Sequence, residues 1–300
     1  MELSSALRAP EDFFWIDDLP ELNSDTVNFR AGRKAEAVHR RAATNNGRLL
    51  FRLDGWIHDN FALPPLDWLD LSHETPRLAA RLLREAWGLG STNPAPNMVQ
   101  LCESRGISVY GLTDIALAVD AFSLWHESRP IIFVSRRKTP ERSRFDIAHE
   151  LGHIILHHDR LPSDESSVTQ ESEADAFASE FLIPQAALTE YLPSLPRISD
   201  ILNFRSSFRV SAMATTVALH RAGRLTDSAY KRRCLDLRRQ GFTTGEPNGM
   251  TAYERSRIMD HVFSTCREPS MTRTAAAAEL SLPTDVIDHG TFKTQLRAVA

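Results

Sequence analysis

The run "FDIAHELGHIILHH", Phe145 to His158, holds four of the chain's eleven histidines. The rest of it is almost wholly apolar. Phe145, Ile147, Ala148, Leu151, Ile154, Ile155 and Leu156 fall on all sides of a helix rather than along one stripe. A helix with no polar face belongs inside its domain. Imidazoles and a carboxylate buried there are unfavourable unless they are paired or coordinate an ion. His149 and His153 are four residues apart, so they lie one above the other on one helical face. Their rings can converge on a single Zn²⁺. Glu150, next to the first of them, is turned away from a ligand position. It is suited instead to taking a proton from a water at the metal.

A third ligand is expected from the segment "ESEADAFASEFLIP" that follows. Glu171 and Glu173 are two residues apart and, at about 100° per residue, point to roughly opposite sides of a helix. Only one can face the site. Glu171 shares its face with Asp175, Ala178 and Leu182, the inward-looking stripe, and is the expected ligand; a surface carboxylate is the alternative. Asp175, one turn on, is placed to accept a hydrogen bond from the outer nitrogen of a ligating histidine and so fix its tautomer. Glu173 is expected to be a solvated carboxylate. His157 continues the row of His149 and His153, but it lies about 12 Å along a straight helix from His149. No glycine follows His153 to turn the chain back. It is expected to be a packed or site-rim histidine rather than a ligand.

The remaining chain sets the context. Three hundred residues suggest about two domains. Hydrophobic residues at 42% and charged residues at 25% exclude a disordered or fibrous chain. No stretch approaches the ~20 apolar residues of a membrane span; "MELSSALRAPEDFFW" has no basic start followed by an apolar run, so no signal peptide is expected. Cys102, Cys234 and Cys266 are odd in number and form no CxxC, which fits a reducing cytoplasm and excludes a thiolate-rich zinc site. Residues 1–75 read as a helical extension with proline-marked loops, bent at "TNNGR" (Thr44 to Arg48). Residues 76–195 read as an α+β domain. In it, helices from Pro76 and from Asn97 lead to three short strands, "ISVYGL", "AFSLWH" and "PIIFVS", mostly antiparallel because their connections are short. Thr139 caps the histidine helix, with Pro140 in its first position. "LPSDESSVTQ" is expected to be a loop, and the helix after it to stop near Pro184. Residues 196–300 read as helical.

"SRFDIAHELGHIILHH", followed eighteen residues after His153 by "ESEADAFASEFLIP", resembles the ImmA/IrrE family of zinc metallopeptidases. The resemblance implies a zincin-like fold, with a small sheet beside active-site helices. It also implies His149, His153 and Glu171 as zinc ligands and Glu150 as the base of an endopeptidase. Members of the family are linked to cutting a repressor or antitoxin of helix-turn-helix type, which switches a transcriptional or stress response. Longer members carry an XRE-type helix-turn-helix in front of the peptidase. Phe13-Phe14 begins where such members have already passed it, so the module is expected to be absent here. A strand near Phe122 to Trp125 is a candidate for pairing with an extended substrate.

A rival reading makes the chain a binding module with a structural zinc. Between Arg197 and Gln240 stand ten Lys or Arg against Asp200, Asp227 and Asp236, a local balance of +7 in a chain of net -4. "ISDILNFRSSFRVSAMATTVALHRAGRL" reads as helix, turn, helix, with Ser211 capping the second. Such a pair can contact DNA. It can equally pack on the peptidase, or dock an XRE-type regulator delivered as substrate.

Overall fold

The computed structural model describes residues 4, 9–16, 18–19, 28–31, 37–113, 119–158, 164–264 and 271–293. Cys266 and the first part of the expected loop after His158 lie outside these residues. The fold is α+β, and its contacts divide the chain into two compact units. One comprises 1–67, 99–135 and 255–300; the other comprises 68–98 and 136–254. Contacts thus group the chain differently from three consecutive segments.

The first unit contains the sheet. Its strands are β1 (Asn28–Ala31), β2 (Ser108–Gly111), β3 (Val119–His126) and β4 (Arg129–Val134), in the order β1-β3-β4-β2. The three strands read from the sequence are all present. β3 and β4 form an antiparallel hairpin, whereas β2 runs parallel to β4. The fourth strand, β1, comes from the segment read as a helical extension with proline-marked loops. It pairs antiparallel with β3, setting Phe29 opposite Phe122 and Asn28 opposite Ser123. β1 takes the edge of β3 at Phe122 and Ser123, so the expected addition of a substrate there is overturned, while Leu124 and Trp125 lie beyond the β1 register. Helix α1 (Ala37–Asn60) packs on β3. It runs unbroken through Thr44 to Arg48, where a bend was expected. A Cβ at Gly47 would stand 3.2 Å from the Phe122 ring, so that glycine lets helix and sheet approach rather than turning the chain. Leu50, Leu53, Ile57, Tyr110, Phe122, Phe133 and Ile287 form the core of this unit.

The second unit is helical. Helix α2 (Pro76–Ala86) buries Ala79, Ala80 and Leu83 and ends at Gly88, whose φ of +70° suits glycine. After α3 (Met98–Ser104) in the other unit come α4 (Pro140–Leu156) and α5 (Asp164–Leu182). Thr139 caps α4 as expected, accepting from the Arg142 amide. The helix is buried over almost its whole length. α5 starts about two turns earlier than its sequence suggested, within the segment read as a loop. It ends just before Pro184. α2, α4 and α5 pack on one another. Two arginines brace them. Arg84 is buried and donates to the carbonyls of Phe181 and Gly90, so a cation meets the negative end of α5. Arg144 pairs with Glu254 and donates to the carbonyls of Ala95 and Pro96.

Helices α6 (Gln185–Tyr191), α7 (Ile198–Phe208), α8 (Ala212–Arg221) and α9 (Asp227–Arg239) complete this unit. Ser211 caps α8, accepting from the Ala214 amide, and the α7–α8 turn passes through Arg209 in the left-handed region.

Candidate metal centre

Helices α4 and α5 bring the site together. The pairing follows their antiparallel packing. His149 of α4 meets Asp175 of α5, and His153, four residues on, meets Glu171, four residues back. Gly152 lies in the contact. A Cβ there would stand 3.1 Å from the Phe177 ring and 3.3 Å from the Ala174 Cα, so its absence lets the backbones close.

The inner atoms are close. His149 Nε2 and His153 Nε2 are 3.1 Å apart. Glu171 Oε1 is 3.1 Å from His153 Nε2, and its Oε2 is 3.4 Å from His149 Nε2. Around a tetrahedral zinc with ligands at about 2.0–2.1 Å, neighbouring ligand atoms lie about 3.3 Å apart. The three side chains therefore fit such an ion. Among the described residues they form a group whose ligand atoms all lie within 4.8 Å of one another.

The histidine side of this triangle is buried: the side chain of His149 is 1% exposed and that of His153 is 2%. The carboxylate side is open, since the Glu171 side chain is 39% exposed. Burial pushes the pKa of His153 down to about 4, so its ring is neutral and offers a lone pair through the physiological range. Burial alone would raise the pKa of Glu171. Hydrogen bonds and charge from His149 and His153 outweigh it and hold the carboxyl well below the usual range.

The outer atoms are also engaged. His149 Nδ1 is 3.0 Å from Asp175 Oδ1, the partner expected for it. His153 Nδ1 is 3.0 Å from His157 Nδ1. His157 is not in the ligand group; its Nε2 is 2.9 Å from Glu173 Oε2. This corrects the reading of Glu173 as a solvated carboxylate. His157 ends α4 with φ −128°, off the helical row, which brings it opposite Glu173 rather than the residue that α4–α5 register would supply. Glu150, the expected base, is completely buried in α4.

The basic segment is partly spent on the fold. Arg205 is buried against Glu246 and the Pro247 carbonyl. Arg224 donates to the carbonyls of Leu188, Leu192 and Pro193, and Arg233 to that of Pro196. Lys231, Arg232, Arg238 and Arg239 remain exposed on α9.

No helix of the described residues is long and apolar enough to cross a membrane. No match was found among the curated proteins. Residues 102–220, from α3 through most of α8, match the family model described as the IrrE N-terminal-like domain, a peptidase family. Over this span, which contains a three-residue group able to hold a metal, the chain is similar to the IrrE N-terminal-like peptidase family.

Proposed function

We propose that the protein is a zinc-dependent endopeptidase that cuts a regulatory protein of helix-turn-helix type. The observation that carries the proposal is the triangle of His149, His153 and Glu171. Its edges fit one zinc, and its carboxylate side is open to solvent. Three protein ligands with an open position mark a catalytic site, whereas structural zinc sites are closed by four. This favours catalysis over a structural zinc in a binding module.

A zinc ion held here supplies Lewis-acid polarisation of the scissile carbonyl and makes water acidic enough to attack near neutral pH. The protein does the rest. With zinc held, His149 and His153 would each turn an Nε2 lone pair to it, and Asp175 fixes the His149 tautomer by accepting from Nδ1. Glu150 takes the proton of the attacking water and later delivers it to the leaving amine.

The partner in this reading is an XRE-type helix-turn-helix regulator. Ser228, Lys231, Arg232, Leu235, Arg238 and Arg239 are exposed and share one face of α9 at helical spacing. That face steers an acidic partner. α7 and most of α8 lie within the family match, and Arg205, Arg224 and Arg233 are already engaged, so docking is favoured over DNA contact.

Metal analysis tests the site: one zinc per chain is expected, lost in His149→Ala and in His153→Ala. A folded wild type that cannot be loaded with stoichiometric zinc rejects it. For the partner, capture with nuclease present should recover a helix-turn-helix protein, and Arg232→Glu with Arg238→Glu should release it. In a parallel capture without nuclease, recovery of nucleic acid with no such protein rejects docking.

A further inference from the structure

We infer that His157 and Glu173 are a positioning pair for His153, fixing which of its nitrogens can bind metal. The inference rests on the metal-site reading above and goes beyond its residues. His153 Nε2 faces His149 and Glu171, so with a metal held there, as the proposed function has it, this nitrogen presents its lone pair to the ion. A neutral imidazole carries one proton, which then sits on Nδ1. That nitrogen is 3.0 Å from His157 Nδ1, so His157 accepts through Nδ1 and carries its own proton on Nε2. His157 Nε2 is 2.9 Å from Glu173 Oε2 and donates to it. Each proton in the row has one place, and the row ends on a carboxylate.

The two metal-facing histidines are thus held by unequal devices. His149 is backed directly by a carboxylate, Asp175. His153 is backed by a carboxylate through a second ring. That second ring is fully buried, with no exposed side-chain surface, whereas the Glu173 side chain is 32% exposed. A carboxylate that reaches its histidine through a buried ring orients it without placing a second anion beside Glu171. Partners of this kind raise ligand basicity, and their loss costs about 10–100-fold in metal affinity.

The test compares zinc affinity by chelator competition, the absorption spectrum of the Co²⁺-substituted protein and the melting of the metal-free protein. His157→Phe keeps a ring and removes both nitrogens. It should bind zinc about 10–100-fold more weakly, shift the cobalt bands and leave metal-free melting close to wild type. Glu173→Ala, at a partly exposed position that does not endanger folding, should lose affinity in the same direction. Glu173→Gln, which retains an accepting oxygen, should recover most of it. If His157→Phe and Glu173→Ala both bind zinc within about threefold of wild type, with unchanged cobalt spectra, the positioning role is wrong. A loss of metal-free stability with no change in affinity would likewise reduce His157 to packing. A wild type that takes no zinc is a different result, visible before any variant is compared, and refutes the metal reading itself.

Discussion

Replacing Gly152 with alanine should loosen the metal centre through the backbone, without touching a ligand. The new Cβ would stand 3.1 Å from the Phe177 ring and 3.3 Å from both the Ala174 Cα and the Phe177 Cβ. Carbon atoms in contact prefer about 3.5–4.0 Å. The α5 backbone must therefore withdraw by about 0.3–0.5 Å, since an atom of the main chain is among those in the way. Metal–ligand distances tolerate about ±0.2 Å. Glu171 sits three residues before Ala174, within the same stretch of α5, and would be carried out of range. Overpacking costs about 1–3 kcal/mol, and alanine's better helix propensity returns up to about 1. The metal-free protein should lose roughly 0–3 kcal/mol, while zinc affinity falls by about tenfold or more, since even outer partners of ligands are worth 10–100-fold. Denaturant melts and chelator competition measure the two effects separately. A Gly152→Ala protein that is about 1 kcal/mol more stable and binds zinc as wild type does would refute the argument.

Asp175→Ala should weaken zinc binding by about 10–100-fold without unfolding the protein, because it removes the acceptor that orients His149; competition titration would show it. The His153 ring should stay neutral to about pH 4 in the metal-free protein, against an ordinary value of 6.5. Because the folded state binds fewer protons there, this group's contribution is fully present above pH 6.5 and is lost as pH falls towards 4, by ~3 kcal/mol. Histidine NMR titration of chelated protein checks it, and a midpoint near 6.5 would contradict it. Glu254→Ala should destabilise by about 3–5 kcal/mol, because it leaves the buried Arg144 guanidinium without its counter-charge; a loss under about 1 kcal/mol would contradict this.

Much of the site was legible because it is written in helix period. His149 and His153 share a face by spacing, and Asp175 and Glu171 follow by stepping back along an antiparallel neighbour. Glu173 was missed because its partner, His157, lies past the last turn of α4, where period no longer fixes direction. Non-local features were less visible. Nothing in "NFRA" marks β1; four residues become a strand only because β3 offers an edge. Gly47 looked like a bend because packing against Phe122 is absent from local sequence. Local sequence does not mark Arg84 or Arg144 as buried, since the carbonyls that satisfy them come from loops and from the end of another helix.

The central claim is that this helix pair binds zinc for hydrolysis and that Glu150 moves the proton. It is tested most directly by measuring metal content and cleavage side by side in wild type and Glu150→Gln. Cleavage of a defined peptide mixture is followed by mass spectrometry. Wild type should hold one zinc per chain and cut at discrete sites. Glu150→Gln should hold the same zinc and cut about 10²–10⁴-fold more slowly. Equal cleavage by both proteins, or wild-type cleavage that survives complete removal of zinc, would contradict the account.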